Sequence, residues 1–299
     1  MASELILDVD GPVHVVDHGG DGPPMILVHG LGGSLLDWRD VAGPLAQGHH
    51  VWSLDLIGFG HTPLAGRPPT IQANQRLVDR FLERATAGFP AVLIGNSMGG
   101  LIGLVEAARR PQRIASLVLV DPALPRAPGG HVDPMLAAAF MAMTSPRLGP
   151  WLVRRRSRRV GAEQLVDQTL RLCTVDPSRV SAESREAHIH LTEWRQGQPD
   201  THRAFAGASR SLVQWLWHRE VVEKHVQMVS APTLLIHGDE DRLVSLATAA
   251  ATAARRPDWS LRVLDNTGHI PQIERPGTFV EVVEEWLAGQ PDRAPGSRR

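Results

Sequence analysis

The chain has 299 residues, 42% of them hydrophobic, enough for one large α/β domain with an insertion or for two ordinary domains. Its 31 Lys and Arg against 32 Asp and Glu leave a net charge of −1, with no long-range attraction for nucleic acid or acidic membranes. The single cysteine, Cys173, excludes an intrachain disulfide and a four-cysteine zinc site, and no apolar run is long enough to span a membrane.

Residues 5–10 and 13–17 alternate in hydropathy around Asp10-Gly11-Pro12 and predict a β-hairpin. The run MILVH, residues 25–29, is continuously apolar, as a buried central strand should be. A glycine-rich loop follows, then a helix near 38–46, a strand over 51–56 and a helix over 71–87 with Leu77, Phe81 and Leu82 on one face. A strand over 91–94, a helix over 98–109 that stops before Pro111, and a strand over 114–120 continue the alternation. This rhythm predicts an α/β fold, a mostly parallel central sheet with helices on both faces. From about 122 to 229 no strand pattern occurs, only helix-like pieces over 134–143, 162–173, 178–190, 202–217 and 219–228. The alternation resumes with a strand over 233–237, a helix over 246–255, a strand over 261–264 and a helix over 278–287. The expected organisation is therefore an α/β core in two parts, 1–123 and 229–288, interrupted by a helical cap over 124–228 and followed by a flexible polar tail over 289–299.

Within this frame one serine stands apart. Ser97 lies in Gly95-Asn96-Ser97-Met98-Gly99, where a strand pattern ends and a helix pattern begins. A tight strand–serine–helix turn needs small residues on either side, and its strain lifts the hydroxyl clear of the sheet beside a helix N-terminus. A serine hydroxyl needs a base to become a nucleophile. Of the 14 histidines, His269 follows the strand over 261–264, on the sheet edge that also carries Ser97. The base needs an acid to fix its tautomer. Asp241, after the strand over 233–237, is preferred to Asp239 and Glu240, and Asp121, ending the strand over 114–120, stands as a second candidate. The N–H of Met98 and the N–H of Leu31, in His29-Gly30-Leu31-Gly32-Gly33, are expected to form an oxyanion hole.

The motifs HGLGG, GNSMGG, HGDEDRLV and NTGHIPQIERP, in this order, resemble the α/β-hydrolase superfamily over most of residues 4–288, with the insertion at the position of that family's cap. The resemblance implies Ser97 as nucleophile, His269 as base then acid, Asp241 as the orienting acid, and no cofactor or metal. Asp55-Leu56-Ile57-Gly58-Phe59-Gly60-His61 resembles a structural turn of the family. Haloalkane dehalogenases and epoxide hydrolases of this superfamily use an aspartate where this chain has Ser97, and epoxide hydrolases use cap tyrosines, which this chain lacks entirely. Hydroxynitrile lyases use a lysine near the triad, whereas the only lysine here, Lys224, falls in the helical stretch over 219–228.

The expected function is hydrolysis of carboxylic esters through an acyl-enzyme. A carbon–carbon bond hydrolase of ring-cleavage dienoates is the alternative: Asn96-Ser97-Met98-Gly99-Gly100 resembles that subfamily, while Ile270 after the histidine and Gly32-Gly33 in the oxyanion loop depart from it. A non-catalytic small-ligand receptor of the same fold is the third reading. Apolar residues of the insertion, among them Met135, Phe140, Met143, Trp151 and Trp215, favour a medium-sized apolar substrate, with Trp38, Leu124, Val244 and Ile270 expected at its pocket. The run Arg154–Arg159 suits anionic groups or a membrane surface, but at near-zero net charge it reads as a solvated cap helix, and His188 and His190, two positions apart on a helix, do not share a face for a metal. With no signal peptide in MASELILDVDG, a cytoplasmic location is expected, with no nucleic-acid partner and no feature that specifies an oligomeric state.

Overall fold

The computed structural model describes residues 2–130 and 133–290. Eight strands form one sheet: β1 (Ser3–Asp8), β2 (Pro12–Gly19), β3 (Pro24–Val28), β4 (His50–Leu54), β5 (Ala91–Asn96), β6 (Ile114–Val120), β7 (Thr233–Gly238) and β8 (Ser260–Leu264), in the order β1-β2-β4-β3-β5-β6-β7-β8. The β1–β2 hairpin pairs Ser3 with Asp17 through Asp8 with Pro12, and β2 lies antiparallel to β4. Every other pairing is parallel.

The helices flanking this sheet are α1 (Arg39–Leu45), α2 (Ile71–Ala85), α3 (Met98–Arg109), then α4 (Pro134–Met143), α5 (Leu148–Arg159), α6 (Ala162–Cys173), α7 (Ala182–Gln196), α8 (Thr201–Trp217) and α9 (Arg219–Met228), and finally α10 (Leu246–Arg255), α11 (Pro271–Glu274) and α12 (Pro276–Ala288). Side chains alternate across a strand, so each central strand feeds two cores. Ile26, Leu93 and Leu117 pack with Phe81 of α2 and Ile102 of α3 on one face. Leu27, Ile94 and Val118 pack with Leu45 of α1 and Phe279 of α12 on the other. Burial on both faces is why these strands read as unbroken apolar runs.

Helices α4 to α9 form the helical insertion. In it α5 packs on α8 and α6 on α7, while α9 returns onto α3. Helix α7 starts later and ends later than the spacing over 178–190 predicts. Pro177 opens a short 3-10 turn, Pro177–Arg179, and Ser181 then caps the helix, its Oγ accepting from Ser184 N at 3.1 Å. The tail expected from residue 289 lies, from 291 onward, outside the described residues. The parallel strands place the loops that follow β3, β5, β6, β7 and β8 along one edge of the sheet.

Candidate active site

Ser97 sits between β5 and α3 with φ +53° and ψ −114°. This backbone region is costly for a residue with a side chain, by roughly 1–3 kcal/mol, and persists only where the surroundings enforce it. Here Ser97 N donates to Val120 O at 2.9 Å, and Ser97 O accepts from Leu101 N at 3.1 Å and Ala123 N at 3.0 Å. The turn is so tight that a Cβ on Gly99 would collide with the carbonyl oxygens of Val28 and His29, and one on Gly95 with Gly99 O. The small residues two positions either side of the serine are therefore a packing requirement, and Ser97 itself remains partly accessible.

His269 is buried in the loop after β8, and its Nδ1 lies 2.7 Å from Oδ2 of Asp241 in the loop after β7. The other oxygen of Asp241, Oδ1, accepts from Leu243 N at 2.7 Å and Val244 N at 3.0 Å. Burial opposes ionisation of Asp241, but His269, His237 and the hydrogen bond from Val244 N together outweigh it and hold the carboxyl below the usual carboxylate range. Asp121, the second candidate acid, is fully buried at φ +43° and accepts from Gly238 N at 3.0 Å. Burial, reinforced by the nearby Asp241, raises its pKa well above the usual carboxylate value. The two neighbouring acids are thus shifted in opposite directions, and it is Asp241 that reaches His269. His237 completes this layer: its Nε2 donates to Val244 O at 2.9 Å, and burial keeps the ring neutral.

The residue before the serine ties the parts together. Asn96 Nδ2 donates to Val120 O at 3.2 Å and to His269 O at 3.0 Å, joining β5, β6 and the histidine loop. Across the sheet, His29 accepts from Leu56 N at Nε2 (3.0 Å), so its Nδ1 carries the proton and donates to Gly30 O at 2.7 Å. Gly30 thereby lies against Ser97, a Cβ placed on it falling 3.2 Å from Ser97 Cβ. Met98 N opens α3 and has no carbonyl within the helix to bind. Among the described residues neither Met98 N nor Leu31 N donates a hydrogen bond.

A strained serine at a helix N-terminus, an imidazole 2.7 Å from a buried carboxylate and two N–H groups without hydrogen-bond partners thus lie on loops along one edge of the sheet. A family model described as the alpha/beta hydrolase fold matches residues 23–276. The chain belongs to the α/β-hydrolase family. It is similar to the pimeloyl-[acyl-carrier protein] methyl ester esterase of Aeromonas hydrophila subsp. hydrophila, 26% identical over 91% of this chain and 98% of that one. It is also similar to the 2-hydroxymuconate semialdehyde hydrolase of Pseudomonas sp. (strain CF600), 28% identical over 90% of this chain and 88% of that one. Among solved structures, the haloalkane dehalogenase DatA from Agrobacterium tumefaciens C58 shares the fold with a TM-score of 0.80 and 20% identity over 96% of each chain.

In this α/β-hydrolase a further buried acid stitches the cap to the histidine loop. Glu274 in α11 is buried, with Oε2 accepting from Gly268 N at 2.7 Å. Its Oε1 accepts from Val175 N at 2.9 Å and Asp176 N at 3.0 Å, at the junction between α6 and α7. His269 N donates to Cys173 O at 2.7 Å, closing the same seam. Helix α7 then crosses the core with contacts seven residues apart. Ser181 Oγ donates to Asp40 Oδ2 at 2.9 Å, His188 Nε2 meets Asp37 Oδ1 at 3.1 Å, and Arg195 donates to the carbonyls of Gly60 (2.7 Å) and Gly58. His188 Nδ1 also faces Ser184 O at 2.7 Å, so both ring nitrogens meet acceptors. Burial opposes its charge, but the hydrogen bond and charge of Asp37, with Ser184 O and Asp40, together prevail and raise its pKa.

The residues expected at the pocket are divided. Trp38 is fully buried in the second core, its ring 6.2 Å from that of Phe279, which removes it from the site. Its 3-10 turn, Leu35–Trp38, directs the indole under the sheet. Ile270 is buried with Val166, Leu170 and Cys173 of α6, where it joins the cap to the histidine loop. Leu124 lies in the first core cluster, and Val244 is partly exposed beside Asp241. A residue that hydropathy did not single out, Phe205 of α8, places its ring 3.1 Å from the Cβ position of Gly32, over the loop after β3. The turn read as structural behaves so: Asp55 accepts from Leu35 N and His61 N, both at 2.8 Å, bracing the loops after β3 and β4.

Proposed function

We propose that this α/β-hydrolase cleaves carboxylic esters of medium-sized apolar substrates through an acyl-enzyme, with Ser97 as nucleophile, His269 as base and then acid, and Asp241 as the orienting carboxylate. Ser97 Oγ attacks the ester carbonyl and its proton passes to His269 Nε2. The N–H groups of Leu31 and Met98 stabilise the oxyanion of the tetrahedral intermediate. The alcohol leaves with the proton from His269, which then takes a proton from water as that water attacks the acyl carbonyl. Ser97 recovers its proton as the carboxylic acid departs. The observation that carries this reading is the 2.7 Å contact between His269 Nδ1 and an ionised Asp241, which leaves Nε2 to act on the serine. An ester bond is also what the Aeromonas relative's name specifies. The Pseudomonas relative and the sequence Asn96-Ser97-Met98-Gly99-Gly100 favour the second reading, cleavage of a carbon–carbon bond in a ring-cleavage dienoate.

The deciding experiment is hydrolysis of a chain-length series of p-nitrophenyl esters by the wild type and by Ser97→Ala. Turnover of medium-chain esters that disappears in the variant is expected. A preference for short charged esters contradicts the medium-sized apolar substrate. Absence of ester turnover, together with cleavage of a coloured dienoate, replaces the first reading by the second.

A further inference from the structure

Helix α4 has the sequence PMLAAAFMAM, apolar at every position, yet none of its residues is buried. A helix apolar on all sides belongs inside a protein or against lipid. Phe140 packs toward the first core, while Met135, Ala138, Ala139, Met141 and Ala142 are exposed, Met135 by 79%. Helix α5 lies beside it and continues the surface with Leu148 and Trp151, exposed by 61% and 51%. Its last six positions, Arg154 to Arg159, then hold five exposed arginines, and Arg147 is exposed at its start. Residues 134–159 contain these six arginines and no acid. Among the described residues none of the six pairs with a carboxylate, whereas Arg113, Arg185 and Arg219 do. The Arg155 guanidinium stacks on Trp151, 5.1 Å from the ring centroid.

This arrangement is an apolar ridge collared by uncompensated cations. A second copy of the chain in a two-fold contact would oppose arginines to arginines. A nucleic acid would match the arginines but leave Met135, Leu148 and Trp151 without a partner. An anionic lipid surface satisfies both halves, phosphates meeting the guanidinium groups and the acyl boundary receiving the apolar side chains. We propose that the α4–α5 hairpin is a docking surface for anionic lipid bilayers. The cap is thereby placed at the interface from which an apolar substrate would arrive, and the docking itself does not depend on which bond is cleaved.

The test is sedimentation of the full chain with vesicles of phosphatidylcholine alone or mixed with phosphatidylglycerol, scored by binding and not by turnover. One variant carries Arg154→Gln, Arg155→Gln, Arg158→Gln and Arg159→Gln; another carries Met135→Ser, Leu148→Ser and Trp151→Ser. All seven positions are exposed, and circular dichroism checks that both variants fold. The wild type is expected to bind the anionic vesicles, less at higher salt, and not the neutral ones. The arginine variant should lose about 100-fold or more in partitioning. The serine variant should lose about tenfold on vesicles while retaining its affinity for heparin. Failure of the wild type to sediment with anionic vesicles at low salt overturns the proposal. So does a serine variant that binds vesicles like the wild type, since the patch then recognises only polyanions. A solution dimer abolished by the serine substitutions overturns it as well.

Discussion

Ser97 adopts its left-handed backbone angle because the hydrogen bonds to Val120, Leu101 and Ala123 leave the turn no alternative. The pKa values of the two acids behind His269 are shifted in opposite directions, and that difference predicts separate roles for them. Asp241→Asn should lower kcat by about 10⁴-fold with little change in KM, because the wrong tautomer of His269 is then favoured. Asp121→Asn should change kcat by less than about threefold, because Asp121 does not contact His269 and an isosteric amide can still accept from Gly238 N. Burial raises the folded-state pKa of Asp121, so the folded protein binds its proton more tightly than the unfolded chain. Stability is therefore lost as pH rises above the unfolded value, and the asparagine variant should melt higher than the wild type near pH 8 but not near pH 3. Steady-state kinetics and melting curves across pH check both halves. Glu274→Gln can satisfy either Gly268 N or the Val175 and Asp176 N–H groups, but its NH2 opposes the other side. A drop in kcat of about 10- to 100-fold is expected, with KM shifted far less, because a small misplacement of the base is costly. An equal loss in both constants would argue for general loosening instead. The loop positions of Ser97, His269 and Asp241 are legible in the sequence because each lies in a short motif directly after a strand pattern. The role of Glu274 is not, because an acceptor for backbone N–H groups is recognisable only once the two chain segments it joins are adjacent.

At the level of elements, the strands and most helices follow from hydropathic period, but their ends follow from contacts. Helix α7 outruns its periodic stretch because Ser181 caps it and three polar contacts at seven-residue spacing seat one face on the core. The same two-turn spacing places His188 where it meets Asp37, a partner 151 residues away in sequence. Trp38 was misplaced for the complementary reason: it lies near the rim in sequence, but its 3-10 turn carries the indole into the core. The α2–α3 interface holds a different kind of element-scale device. Glu106 of α3 is buried against Gln75 of α2, Nε2 to Oε2 2.6 Å, and burial pushes its pKa up to about 7. The folded state thus favours the protonated acid, and stability declines as pH rises from about 4.5 to about 7. Glu106→Gln should therefore be more stable than the wild type at pH 8, on the order of 2–3 kcal/mol, with the difference vanishing below pH 4.5. Denaturant melts at the two pH values check this.

On the scale of the whole molecule, the cap is attached unevenly. Helices α6 and α7 are sewn to the core through Glu274, Asp37, Asp40 and the carbonyls of Gly58 and Gly60. Helix α4 buries no residue and α5 only Gly149. Hydrogen exchange followed by mass spectrometry should show amides over 134–159 exchanging about tenfold or more faster than those over 162–196. Equal protection would mean that the insertion moves as one body. The α/β alternation, the helical interruption and the strand-end loops that carry Ser97, Asp241 and His269 are written in the order of residues, because hydropathic period and tight-turn chemistry are local properties of neighbouring residues. The tertiary structure alone decided that Asp241 and not Asp121 reaches His269, and that Trp38 is core. It alone revealed Glu274 as the seam of the cap and the apolar, cationic ridge of α4 and α5 as exposed. Each of these depends on which distant segments share a surface and which remain without one, and a linear pattern does not carry that information.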